Sequence, residues 1–172
     1  MDFNKKMVEI LNSAIKVEKD GLITYINAAR KSKDIGVKNM FISLARDEYN
    51  HMEILEKERD RFMAGKSYEP VHVPHSEIEK LIPHVKEAEK KRGAKGELSE
   101  IEALNVALEQ EKLSRDYYQK KAEELPDDCK AKQLLLELAK MEQMHYDLIL
   151  AQLDYIKGTG FWFDMPEFTL EL

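Results

Sequence analysis

Two tetrads of the form Glu-x-x-His, Glu48-x-x-His51 and Glu142-x-x-His145, each follow a solitary glutamate, Glu18 and Glu111, by some thirty residues. All six side chains fall where the surrounding apolar spacing asks for a core residue. Glu18 interrupts a stripe at Leu11, Ala14, Leu22 and Tyr25, and Glu48 with His51 interrupts one at Val37, Met40, Phe41, Leu44, Met52 and Leu55. Glu111 does the same among Ile101, Leu104, Leu108, Tyr118 and Ala122, and Glu142 with His145 among Leu134, Leu135, Leu138, Ile149 and Leu153. An unpaired buried carboxylate is costly, so four turned inward need compensating charge. Two divalent cations supply it. Hard carboxylates with two imidazoles suit iron or manganese, and zinc is also compatible with them. Two bridging glutamates would hold the ions about 3.5–4 Å apart. A bridged iron pair can pass two electrons to O2 or to peroxide.

The elements that must position these groups are helices. Apolar residues recur at i, i+3, i+4, i+7 from Phe3 to Ala29, through Met7, Ile10 and Ile26, and Lys33-Asp34-Ile35-Gly36 breaks the pattern. A second helix runs to Met63-Ala64-Gly65. Residues 65–97 read as a connection, extended around Pro70 and Pro74, with a short helix over 76–91 and a loop at Gly93–Gly96. Ser99 and Glu102 have capping-box spacing and open a third helix. Leu125-Pro126-Asp127-Asp128 ends it and caps a fourth. The order is that of an all-α four-helix bundle, two helical hairpins with one long crossover connection. A repeat supports it: Ala14 to Lys19 recurs as Ala107 to Lys112 at an offset of 93, and Leu44-Ala45 and Glu48-x-x-His51 recur at an offset of 94. In each hairpin the two glutamates lie about 15 residues from the turn, roughly 22 Å at the α-helical rise, so all four occupy one slab. The bundle takes residues 1–157, and 158–172 form an aromatic tail.

Other candidates are weaker. Tyr25 and Tyr118 each follow their glutamate by seven residues. They hydrogen-bond the carboxylates as a second layer, act as a radical sink, or pack as ordinary core tyrosines. Glu109 competes with Glu111, but two residues turn a helix by about 200°, and the repeat selects Glu111. Glu69-Pro-Val-His72 has the tetrad spacing but lies in the connection and contains Pro. His72, His75 and His84 read as solvated loop residues, Met141 and Met144 as core filler, and Cys129 as a small hydrophobe. The aromatic tail (Phe161, Trp162, Phe163, Phe168) is expected to pack over one end of the bundle.

The 172 residues are 43% hydrophobic and 35% charged with seven Gly and five Pro, a globular helical profile sized for one domain. The formal net charge of -6 lacks the electrostatic footprint of a nucleic-acid binder. One cysteine excludes an internal disulfide, a Cys-x-x-Cys pair and a four-cysteine metal site. No stretch has the length of a signal-peptide core or a membrane span, and the expected location is the cytoplasm.

These motifs, over residues 1–64 and 98–157, resemble the rubrerythrin branch of the ferritin-like superfamily. The resemblance rests on Ala14-x-x-x-Glu18-x6-Tyr25, Glu48-x-x-His51, Glu111-x6-Tyr118 and Glu142-x-x-His145. It implies a ferritin-like bundle in which Glu18, Glu48, His51, Glu111, Glu142 and His145 hold two iron ions. It implies reduction of hydrogen peroxide with electrons from a rubredoxin-type centre, and relatives oxidise ferrous iron with O2. With one cysteine, the chain has no rubredoxin domain of its own, so a rubredoxin-like donor must be a separate protein. Rubrerythrins typically carry a further glutamate three residues after the third-helix ligand. Here that position is Ser114, and the donor set of four Glu and two His is closer to the symmetric bacterioferritin pattern. The expected function is a di-iron peroxidase, with a ferroxidase or an iron-handling bundle with a non-catalytic metal site as alternatives. The long connection and the resemblance also imply a homodimer, with hairpins exchanged between chains.

Overall fold

The computed structural model describes residues 3–66, 98–127 and 129–157. Four α-helices make up the described chain: α1 (Phe3–Lys31), α2 (Ile35–Met63), α3 (Leu98–Glu123) and α4 (Lys130–Lys157). No strand occurs among the described residues. α1 packs along α2 and α3 along α4, forming two hairpins that meet chiefly through α1 and α3. The short helix expected at 76–91, the tail at 158–172 and His72, His75 and His84 lie outside the described residues.

The turns explain the hairpins. Asp34 caps α2: its Oδ1 accepts from the backbone N–H of Gly36 (2.7 Å) and of Val37 (3.1 Å). Buried Glu100, in the first turn of α3, closes the same turn from the other hairpin. Its Oε1 accepts from Ser32 Oγ (3.0 Å), Lys33 N (2.9 Å) and Asp34 N (2.8 Å). α2 ends in a Schellman motif, with Gly65 N donating to Phe62 O, Lys66 N donating to Arg61 O, and Gly65 at φ 66°. α3 is helical from Leu98, so Ser99 stands inside the first turn rather than at the cap. At the α3–α4 turn, Asp127 holds Lys132 Nζ at 2.5 Å.

α1 runs antiparallel to α3: Tyr25 reaches Glu111, and Tyr118 reaches Glu18. α2 is antiparallel to α1, so α2 and α3 point the same way. The end of α2 and the start of α3 therefore lie at opposite ends of the bundle, about 43 Å apart for helices of 29 residues. That is the ferritin-like topology expected.

The core is divided. One apolar cluster gathers Met7, Leu11, Leu55, Leu134, Leu135 and Leu138, and the other Val37, Phe41, Leu44, Leu104, Ile149 and Leu153. Between them lies the slab of charged side chains. Ile26, expected on the buried stripe of α1, is 46% exposed, because Tyr25 takes the inward position and leaves its neighbour on the flank.

Candidate metal centre

All six expected donors are buried, none more than 3% exposed, and they converge at mid-height of the bundle. Their ligand atoms form two groups, Glu18–Glu48–His51–Glu142 and Glu48–Glu111–Glu142–His145, each with its atoms within 4.8 Å of one another. Glu48 and Glu142 belong to both. The arrangement has near two-fold symmetry: one helix of each hairpin supplies a lone glutamate, the other a Glu-x-x-His, and the two shared glutamates come from the tetrads.

Both histidines turn Nδ1 towards the carboxylates. His51 Nδ1 lies 3.3 Å from Glu18 Oε2, 3.5 Å from Glu142 Oε1 and 3.7 Å from Glu48 Oε2. His145 Nδ1 lies 3.4 Å from Glu48 Oε1, 3.5 Å from Glu111 Oε1 and 3.9 Å from Glu142 Oε2. The two rings stack with centroids 5.7 Å apart. Tyr25 Oη donates to Glu111 Oε1 and Tyr118 Oη donates to Glu18 Oε1, so both tyrosines hydrogen-bond the carboxylates, one of the readings open to them. Each bond crosses between hairpins.

Burial pushes the Glu48 carboxyl up, and the neighbouring Glu142 and Glu18 carry it further, to about 8. Glu142 is raised well above the carboxylate range by burial and by Glu111 and Glu18. Burial also opposes charge on Glu18, but hydrogen bonds with Glu48, His51 and Tyr118 and the attraction of His51 outweigh it and lower its pKa. For His51 and His145 burial favours the neutral ring, yet the surrounding carboxylates (Glu18 foremost for His51, Glu111 for His145) raise both well above the usual imidazole value. Burial and the adjoining carboxylates raise Tyr25 and Tyr118 well above an ordinary phenol, which keeps both as donors.

The donor set fits cations. Glu111 Oε2, Glu142 Oε1 and both ring nitrogens of His145 are buried without a hydrogen-bond partner among the described residues. Buried polar atoms left this way are rare unless an ion or water takes them. Six hard or borderline donors, all on rigid helices, could hold two such ions, with Glu48 and Glu142 reaching both.

Among the described residues, the other candidates fall where the sequence put them. Glu109 is exposed, Met141 and Met144 pack in the apolar cluster near Leu135, and Cys129 is half-buried against the same cluster. Two residues at the site were missed. A Cβ on Gly21 would stand 3.4 Å from Cγ and Cδ of Glu48, so the Glu48 side chain lies against α1 at this mid-helix glycine. Asp47 Oδ2 lies 3.5 Å from His145 Nε2. A glycine inside an otherwise unbroken helical pattern, and an acid beside the tetrad, were the signals available.

No described helix is long and apolar enough to cross a membrane. Among solved structures, a hypothetical protein from Pyrococcus furiosus superposes with a TM-score of 0.63 at 23% identity, covering 91% of this chain and 93% of that one, a likeness of fold. No curated protein matches the chain. The rubrerythrin family profile matches residues 9–153. With that match over most of its length, a bundle of two packed hairpins and a buried carboxylate–histidine cluster at their junction, the chain belongs to the rubrerythrin family, a ferritin-like di-iron family.

Proposed function

We propose that the protein is a non-haem di-iron oxidoreductase that reduces hydrogen peroxide at a carboxylate-bridged iron pair, drawing electrons from a separate donor protein. The observation that carries this reading is the pair of four-donor groups sharing Glu48 and Glu142. Glu18 and His51 would hold one iron and Glu111 and His145 the other, with Glu48 and Glu142 within reach of both. Two irons held this way supply a two-electron couple. The chain's own contribution is positional. The tyrosines fix the orientation of Glu18 and Glu111, and the apolar clusters above and below keep bulk water from the slab.

Ser114 favours a second reading. It is buried three residues after Glu111, where a further carboxylate would serve one iron asymmetrically, and the resulting symmetric set suits a ferroxidase that reacts with O2. Rapid mixing separates the two. Anaerobic, ferrous-loaded protein is mixed with peroxide and separately with O2 while near-ultraviolet absorbance is followed. Much faster oxidation by peroxide supports the peroxidase, and comparable or faster oxidation by O2 supports the ferroxidase. No change with either oxidant rejects a redox-active iron pair here.

A further inference from the structure

The six donors are two near-copies of one half-site, but what stands behind the two histidines differs. Asp47 Oδ2 on α2 lies 3.5 Å from His145 Nε2 on α4, and both residues are buried. The repeat that carries Glu48 onto Glu142 and His51 onto His145 carries Asp47 onto Met141. The equivalent position on α4 is therefore a thioether, packed in the apolar cluster with Leu55, Leu135 and Leu138. The polar neighbours that His51 has among the described residues all lie against Nδ1.

A neutral imidazole carries one N–H, so an ion on Nδ1 places that proton on Nε2. At His145 the Nε2–H then faces a carboxylate, and closing the gap by a few tenths of an ångström makes a full hydrogen bond. A carboxylate behind a ligating histidine fixes its tautomer and ring orientation and makes it a stronger donor. A methionine sulfur is a weak acceptor and does neither comparably.

We propose that Asp47 is a positioning residue that makes the two ion positions unequal. The Glu48–Glu111–Glu142–His145 position fills first, and the Glu18–Glu48–His51–Glu142 position second. The inference rests on the di-metal reading, but it assigns an order of loading that the donor set, identical on both sides, does not contain.

The test titrates the metal-free chain with Co2+, following visible absorbance and heat. Two steps separated by about 10–100-fold in affinity are expected, the usual worth of such a backing carboxylate. His145→Ala should remove the tighter step and His51→Ala the weaker. Asp47→Asn, nearly isosteric, should weaken the tighter step alone, whereas a general structural loss would weaken both. Met141→Asp makes the converse test without touching Asp47 and should tighten the weaker step. Two equal steps in the unaltered protein, loss of the tighter step in His51→Ala, or no change in either step with Asp47→Asn or Met141→Asp overturns the inference. Failure to take up two ions, or uptake that survives Glu142→Ala, overturns the di-metal reading itself.

Discussion

Tyr25 of α1 donates its phenolic proton to Glu111 of α3, and the reciprocal bond from Tyr118 to Glu18 returns from α3 to α1. The two lone glutamates are thus each held by the opposite hairpin, and the same bonds that orient prospective ligands also fasten the halves together. Tyr25→Phe and Tyr118→Phe should each cost the metal-free protein about 1.5–3 kcal/mol, the range for a buried hydrogen bond to a charged group. Urea denaturation at pH 7 with a chelator present checks this. A change below about 0.5 kcal/mol in both would mean that water takes over the phenol's place.

Gly21 makes a different demand on the site. A methyl group fits beside Glu48 at ordinary contact, since the added Cβ meets it at 3.4 Å. Gly21→Ala should therefore fold at least as well, helped by up to about 1 kcal/mol of helix propensity. Gly21→Val adds two further carbons to a Cβ that already meets Glu48 at 3.4 Å, and should crowd its carboxyl. It should lower Mn2+ affinity tenfold or more, with far-UV circular dichroism unchanged. Equal affinities for the Ala and Val variants would remove Glu48 from the site.

The contrast between Glu48 and Gly21 shows where the sequence was readable. The six donors were legible because ionisable groups at inward helical positions contradict the apolar pattern around them, and the repeat separated Glu111 from Glu109. Their common height followed from distances to two turns. Gly21, Asp47 and Glu100 were not legible. A glycine's reason lies in whatever approaches it, and an acid flanking a buried stripe looks like solvated surface until a neighbouring helix covers it. Ile26 misled for a related reason, as adjacent positions on a stripe's margin are told apart only by the packing partner.

Glu100 illustrates a contact between distant segments that local pattern cannot announce. One of its oxygens accepts from Ser32, Lys33 and Asp34, joining the start of α3 to the α1–α2 turn. Glu100→Ala should cost about 2–3 kcal/mol, by leaving these donors to compete for water in a partly buried turn. Glu100→Gln keeps an acceptor oxygen and should cost clearly less. Chemical denaturation of both variants decides the matter, and equal losses would show that the charge rather than the acceptor matters.

The protonation of the slab gives the metal-free protein an unusual dependence on pH. Glu48 is raised from 4.5 to about 8 by burial and by Glu142 and Glu18, and Glu142, His51 and His145 are raised well above their ordinary values. A group whose proton affinity is higher in the folded state stabilises the fold below its unfolded pKa, and that contribution is lost as pH rises through the folded one. For Glu48 the window runs from 4.5 to about 8. Glu18, lowered, has the opposite sign and matters only at the acid end. With a chelator present, the Tm should therefore fall between pH 6.5 and 9, by about 5–10 °C for a loss of a few kcal/mol in a chain of this size. Bound ions replace those protons. Loading with Mn2+ should release protons into a weakly buffered solution, tighten as pH rises, and flatten the Tm over the same range. A metal-free Tm that is level or rises from pH 6.5 to 9 would mean that the carboxylates are not holding protons in the absence of metal.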